Sequence, residues 1–190
     1  GLIGALLTPG SEVNVEGALY NPYRSHFIEV LRRMGAQIHT PNSRTWGGEP
    51  IVDVTAVYTP QLTSIVTEPE EAAMLIDEFP ILSVAAARAQ GTSCFKGVGE
   101  LRVKESDRFD KILELIKAFG GNAWAQEDDL YIEGGLKLQE HGITIQADHD
   151  HRIAMSAAIL ARSLGCGCTI EGASTIYSSF PSFIEQITAP

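Results

Sequence analysis

The feature that most restricts how this chain can fold is an internal repeat. From about residue 10 to 59 the order reads strand (Val13 to Gly17), helix (Pro22 to Met34), a Gly-Ala break, strand (Gln37 to Thr40), then a turn and a strand (Ile51 to Val57). The same order returns as a strand at Thr92 to Gly97, a helix at Ser106 to Phe119, the break Gly120-Gly121-Asn122, and a hairpin of Ala123 to Gln126 and Leu130 to Glu133. A short strand follows each unit, Leu62 to Val66 and Gly142 to Gln146, and an Ala-rich helix follows each of those, Ile76 to Ala89 and Ile153 to Ser163. A third unit opens with a strand at Cys168 to Gly172 and a helix at Pro181 to Ile187. Units of this size do not bury their apolar faces alone; they stack on their neighbours.

Two kinds of helix are expected. In the first kind, Phe27, Val30, Leu31 and Met34, and again Phe109, Ile112, Leu113 and Ile116, fall at i, i+3, i+4, i+7 and form one apolar stripe. Asn21-Pro22 supplies a cap and a first-turn proline, and Gly35 a stop. Ser106 is the candidate cap of the second helix and Gly120-Gly121 its end. The Ala-rich helices are small or apolar nearly all round, as in Val84-Ala85-Ala86-Ala87 and Ala154 to Ala161. A helix without a polar face is buried. The expected architecture is therefore α/β (α+β), with repeated βαβαββ units around buried helices. The third unit is incomplete, because it lacks the hairpin of the first two. No Pro/Gly/Ser-rich linker divides the chain, so residues 1–190 read as one domain.

A formal net charge of −10 argues against nucleic acid and against anionic membrane surfaces as partners. No apolar run approaches the ~18 residues of a membrane span. Cys94, Cys166 and Cys168 form no disulfide framework; Cys166-Gly-Cys168 lies in an apolar, strand-like stretch and reads as buried structural thiols or, as the alternative, a metal or redox pair, and reduced thiols fit a cytoplasmic protein. The acidic balance also sets a condition: a site for an anionic ligand has to gather cations locally against the global field.

Three segments could carry chemistry. Arg102, Lys104 and Arg108 put three of the fourteen Lys/Arg residues into seven positions, with Glu105 and Asp107 between them. At a helix start, free N–H groups and the positive dipole end add to such cations, which makes an anion site. The same run also reads as a solvated, self-paired cap. Asp148-His149-Asp150-His151-Arg152 leads directly into the second Ala-rich helix, so Arg152 is fixed at the start of a core element. His149 and His151 are also compatible with a metal, and the run with a plain cap. Asp77-Glu78-Phe79-Pro80 precedes the first Ala-rich helix, where a carboxylate is either the N-cap or a general base with a raised pKa. Cations and carboxylates converging from separate helix starts suit phosphate and carboxylate chemistry.

These segments resemble a known family. Glu100-Leu101-Arg102-Val103-Lys104-Glu105-Ser106-Asp107-Arg108 is similar to the Val-Lys-Glu-Ser/Thr-Asp-Arg signature of the 5-enolpyruvylshikimate-3-phosphate (EPSP) synthases. Asp150-His151-Arg152-Ile153-Ala154-Met155 resembles their Asp-His-Arg-Ile/Met-Ala-Met segment, and Ile76-Asp77-Glu78-Phe79-Pro80-Ile81-Leu82 a segment of the bacterial forms. The motifs stand in the family's order and spacing, and the likeness spans essentially the whole chain. Related UDP-N-acetylglucosamine enolpyruvyl transferases share the fold without the Val-Lys-Glu-Ser-Asp-Arg pattern.

The resemblance implies a two-lobed enzyme with its site in the cleft between lobes, of which this sequence matches the C-terminal lobe; the N-terminal lobe would be the missing partner. It implies transfer of the enolpyruvyl group of phosphoenolpyruvate to the 5-hydroxyl of shikimate 3-phosphate, a step of aromatic amino-acid biosynthesis, with no metal or organic cofactor. Carried over by motif, Asp77 is the proton acceptor and touches shikimate 3-phosphate, as does Lys104. Glu105 is the proton donor, Arg108 and Arg152 hold the anionic groups of phosphoenolpyruvate, and His151 lies beside them. One position departs: many members carry Lys just before the C-terminal Phe-Pro-type segment, where Tyr177-Ser178-Ser179-Phe180-Pro181 supplies Ser178. Two other readings stay open, a non-catalytic binding module of the same fold and a transferase with a UDP-sugar acceptor.

Overall fold

The computed structural model describes residues 1–138 and 142–188. Its elements, in chain order, begin with α1 (Leu2–Leu7), β1 (Glu12–Leu19), α2 (Pro22–Arg33), β2 (Gln37–His39), β3 (Arg44–Trp46) and β4 (Glu49–Val57). The second repeat comprises β5 (Val66–Thr67), α3 (Ala72–Leu75), α4 (Phe79–Arg88), β6 (Thr92–Phe95), α5 (Arg108–Ala118), β7 (Ala123–Gln126) and β8 (Asp129–Glu133). The third contains β9 (Ile143–Gln146), α6 (His151–Leu164), β10 (Cys168–Glu171), α7 (Thr175–Ser179) and α8 (Phe183–Thr188).

The repeat is visible in the sheets. The first runs β1-β4-β2, and the second contains β6-β8-β7, so each places its unit's first strand beside the last and the middle strand outside. These pairings are antiparallel. In the first sheet β3 folds back onto β4 as a hairpin strand that the sequence pattern does not signal. The second sheet gains β5, paired parallel to β6, and the third sheet is the parallel pair β9 and β10. A parallel pair needs a crossover, and here α4 and α6 are the crossover helices. Their position explains their composition: each is packed largely between a sheet and other helices, which leaves little surface for polar residues. α1, α4 and α6 touch one another at the centre. Within the buried stretch of α4 the serine Ser83 interrupts the apolar surface, and in α6 Ser156 is its counterpart; both hydroxyls donate to the carbonyl one turn back, of Phe79 and Arg152, at 2.7 Å. α6 is not enclosed completely, since Arg152, Met155 and Ala158 lie along a half-buried face.

The outer helices follow their stripes with two shifts. In α2, Ile28 rather than Phe27 is fully buried, and in α5 Leu115 rather than Leu113. Asn21 caps α2, accepting from Tyr23 N and Arg24 N at 3.1 and 3.0 Å, ahead of Pro22. α1 has no counterpart in the sequence reading, because six residues hold too few turns to show a period. Its place before β1 matches that of α4 before β6 and α6 before β10. Among the described residues the third sheet stops at two strands, in keeping with an incomplete third unit. The three cysteines are free; Cys94 is buried, whereas Cys166 and Cys168 are only half-buried, and burial pushes all three thiols up.

Candidate functional site

Arg108 is the first residue of α5, and its guanidinium is the centre of the polar cluster. It is 0 % exposed. Nε donates to Asp150 Oδ2 at 2.7 Å and Nη1 to Asp77 Oδ1 at 3.0 Å. Nη2 meets the Glu105 carboxylate as an ion pair without an aligned hydrogen bond. The side chain turns inward because the helix begins one residue later than Ser106 would set it. Asp107 is the cap, accepting from Asp110 N at 3.0 Å. The Ser106 hydroxyl, released from capping, donates to Asp150 Oδ2 at 3.0 Å.

Asp150 is the residue that the sequence reading left out of the site. Its side chain is 0 % exposed. It caps α6 by accepting from Arg152 N and Ile153 N at 3.0 and 3.4 Å, and it holds Arg108 and Ser106 with its other oxygen. Two consecutive left-handed residues, Asp148 (φ 47°) and His149 (φ 62°), lead into it. Such backbone costs on the order of 1–3 kcal/mol per residue where a side chain is present. Its packing against Gly172, where an added Cβ would lie 3.0 Å from His149 N, keeps it in place. Burial alone would raise the Asp150 carboxyl, but the hydrogen bond and charge of Arg108, with Ser106 and Arg152 N–H, hold it below the usual carboxylate range. Burial likewise pulls Arg108 down, and its carboxylates outweigh that and raise it.

Arg152 ties the start of α6 to the start of α4. Nη1 donates to the Asp77 carbonyl at 2.8 Å and to Glu78 Oε1 at 3.4 Å, and Nη2 lies 3.7 Å from Asp77 Oδ2. Glu78, not Asp77, occupies the capping position of α4, and it makes no side-chain cap bond. Burial raises the Glu78 carboxyl; Arg152 opposes this and Asp77 adds to it. Asp77 itself is 52 % exposed and Glu105 59 %, so the two face solvent on one side and Arg108 on the other.

Asp77, Glu105, Arg108 and Arg152 are thus brought together. Lys104 is not joined to them: it pairs with Glu100 at 3.0 Å. Arg102 turns away too, lying 3.9 Å above the Phe109 ring and pairing with Asp110. Of the three cations in this run only Arg108 enters the cluster, so the run works as one inward guanidinium with two outward pairs. His151 is the half-exposed first residue of α6. Among the described residues no group of three His, Cys, Asp or Glu is placed to hold a metal ion. Two depressions flank Asp77, Glu78 and Arg152. One, of about 160 Å³, has Pro80, Met155 and Phe180 in its wall; the other, of about 400 Å³, has Tyr23, Arg24 and Met74. Ser178 is exposed and donates to the Thr175 carbonyl at 3.0 Å.

Fold and site together define a class: a repeat-built α/β lobe in which carboxylates and guanidiniums from three helix starts meet at one rim. Residues 2–187 match the family profile of EPSP synthase (3-phosphoshikimate 1-carboxyvinyltransferase), and the chain belongs to that family. It is 43% identical over 183 residues to the 3-phosphoshikimate 1-carboxyvinyltransferase of Acidiphilium cryptum, covering 96% of this chain and 40% of that protein. The solved structure of EPSP synthase from Acinetobacter baumannii superposes with a TM-score of 0.88 at 39% identity, over 97% of this chain and 42% of that one. The enolpyruvyl transferase NikO from Streptomyces tendae shares the fold, with a TM-score of 0.67 at 17% identity over 98% of this chain and 40% of that one. The chain therefore spans about two-fifths of the length of the relatives it matches.

Proposed function

We propose that residues 1–190 are the C-terminal lobe of an EPSP synthase, and that with an N-terminal lobe they transfer the enolpyruvyl group of phosphoenolpyruvate to the 5-hydroxyl of shikimate 3-phosphate, releasing phosphate. The observation that carries the reading is the meeting of Asp77, Glu105, Arg108 and Arg152 from three separate stretches of chain. In this reaction the acceptor hydroxyl loses a proton, its oxygen adds to the vinyl carbon bearing phosphate, and the methylene carbon gains a proton. Elimination then breaks the carbon–oxygen bond to phosphate as the new methyl group returns one proton to the base, and the enol ether forms. Asp77 takes the hydroxyl proton and Glu105 serves the methylene carbon.

The geometry suits an exchange of anions. Asp150 is buried and stays on Arg108 as its permanent partner. Asp77 and Glu105 are half-exposed, and each occupies a donor that a substrate phosphate or carboxylate can take over in bidentate fashion. Substrate arrival therefore frees the Asp77 carboxylate for proton transfer. Arg152, at the edge of both depressions, holds the second anionic group, with His151 beside it. Lys104 turns from Glu100 to the acceptor phosphate. No cofactor enters this scheme, and the free thiols suit a cytoplasmic setting.

The test is phosphate release by the complete enzyme, dependent on both phosphoenolpyruvate and shikimate 3-phosphate, with UDP-N-acetylglucosamine as the competing acceptor. The 190-residue chain alone should be inactive, and adding the N-terminal lobe should restore turnover. Turnover by the lone chain at an ordinary enzymatic rate, or preference for the UDP-sugar, would overturn the proposal.

A further inference from the structure

The rim that gathers around Arg108 is short of positive charge. Asp77, Glu78, Glu105 and Asp150 contribute four carboxylates against the two guanidiniums of Arg108 and Arg152, a formal balance of −2, and both guanidiniums are already engaged. Exchange at Arg108 seats one anionic group without changing that balance; a cation not already engaged would offset it. The larger depression supplies one. Arg24 lines it together with Tyr23, Met74, Asp77, Glu78 and Arg152.

Neither pairing nor helix electrostatics accounts for Arg24. Its side chain is exposed and has no hydrogen-bond or ion-pair partner among the described residues. It stands in the first turn of α2, where a cation opposes the helix dipole. Its backbone is fixed, because Arg24 N is held by Asn21 Oδ1 at 3.0 Å and the preceding Pro22 sets the first turn. The result is a free guanidinium on a rigid mount, sharing a concave surface with the carboxylate and the arginine that the proposed chemistry uses.

We propose that Arg24 is a substrate-binding residue, whose guanidinium takes a phosphate or carboxylate group of a substrate lodged between α2 and the start of α4. The proposal rests on the enolpyruvyl-transfer reading above. It gives the first repeat unit a part in the site, which none of the sequence motifs assigns to it. Both substrates of the proposed reaction carry a phosphate and a carboxylate, so the kinetics have to identify which one Arg24 holds.

The experiment is steady-state kinetics on the complete enzyme, varying phosphoenolpyruvate and shikimate 3-phosphate separately. Arg24→Ala should raise KM for one of them about tenfold or more, as loss of a charge-assisted hydrogen bond predicts, while kcat moves less than about threefold. Arg24→Lys should recover part of the loss. Lys117→Ala, which removes an equally unpaired charge about 13 Å further along α5 than Arg108, should leave both KM values alone. The substrate whose KM rises is the one that Arg24 binds. If both KM values stay within about twofold in Arg24→Ala, or if Lys117→Ala raises them equally, the inference is wrong. Wild-type enzyme that fails to turn over would refute the enolpyruvyl reading and this inference with it; wild-type turnover with an unaffected Arg24→Ala refutes this inference alone.

Discussion

Substituting Asp150→Asn tests the division between permanent and exchangeable partners of Arg108. The change keeps the shape and, as Asn is as good a cap as Asp, keeps an oxygen for Arg152 N and Ile153 N. What it removes is the charge facing Arg108 Nε, and in the worst orientation it sets an amide N–H against that donor. Both partners are wholly buried. Removing the buried partner of a buried charge costs up to about 3–5 kcal/mol, less what the half-exposed Asp77 and Glu105 still supply, and that is a large part of the ~5–15 kcal/mol that stabilises an ordinary domain. For a chain of this length that is a fall in Tm of roughly 6–20 °C. Asp77→Asn removes a carboxylate from the same guanidinium, but one that is half in water, so it should cost at most about 1 kcal/mol. Urea unfolding of the two variants beside wild type measures both. The pH dependence supplies a second reading. Asp150 is held below the usual carboxylate range, so its contribution is complete above that range and disappears as pH falls through the folded value. Asp150→Asn should lack that portion of the acid limb. Equal losses for the two variants, or a loss below about 1 kcal/mol for Asp150→Asn, would refute the assignment of Asp150 as the buried anchor.

Three other outcomes are expected. Glu71 accepts from Arg33, from Glu68 N and from His26, and although burial raises its carboxyl these partners bring it down to about 2. Its stabilisation is present above the ordinary carboxylate range and is lost as pH falls towards that value, so Glu71→Gln should flatten the acid limb of a stability curve by up to about 3 kcal/mol. Gly134→Ala would place a Cβ 2.1 Å from the Ala89 carbonyl oxygen and 2.7 Å from that of Gly91, against backbone that closes the end of α4. It should cost about 1–3 kcal/mol or more in a thermal melt. In the complete enzyme, Arg152→Ala should reduce kcat/KM for phosphoenolpyruvate more than about tenfold, read by initial rates, because it removes the charged contact proposed for the second anionic group.

Much of this protein is legible in its residues one stretch at a time. The apolar stripes of α2 and α5 and their glycine stops are local facts. The absence of a polar face in Val84 to Ala87 and Ala154 to Ala161 leads directly to burial, because those side chains have no favourable business with water. The repeated order of strand, helix and hairpin leads to the stacked units, and the short motifs around Asp77, Lys104 to Arg108 and Arg152 lead to the family. What only the tertiary structure decided is who faces whom. Arg108 and Asp150 lie 42 positions apart, Arg108 and Asp77 31, and no local pattern states that they share a buried contact. The same folding turned Lys104 and Arg102 outward onto Glu100 and Asp110, gave the cap of α5 to Asp107 rather than Ser106, and set Arg24, unpaired among the described residues, in one depression with Asp77. Periodicity reports which side of an element is dry. The pairing of charges depends on which dry sides meet, and that is settled only when the repeats pack.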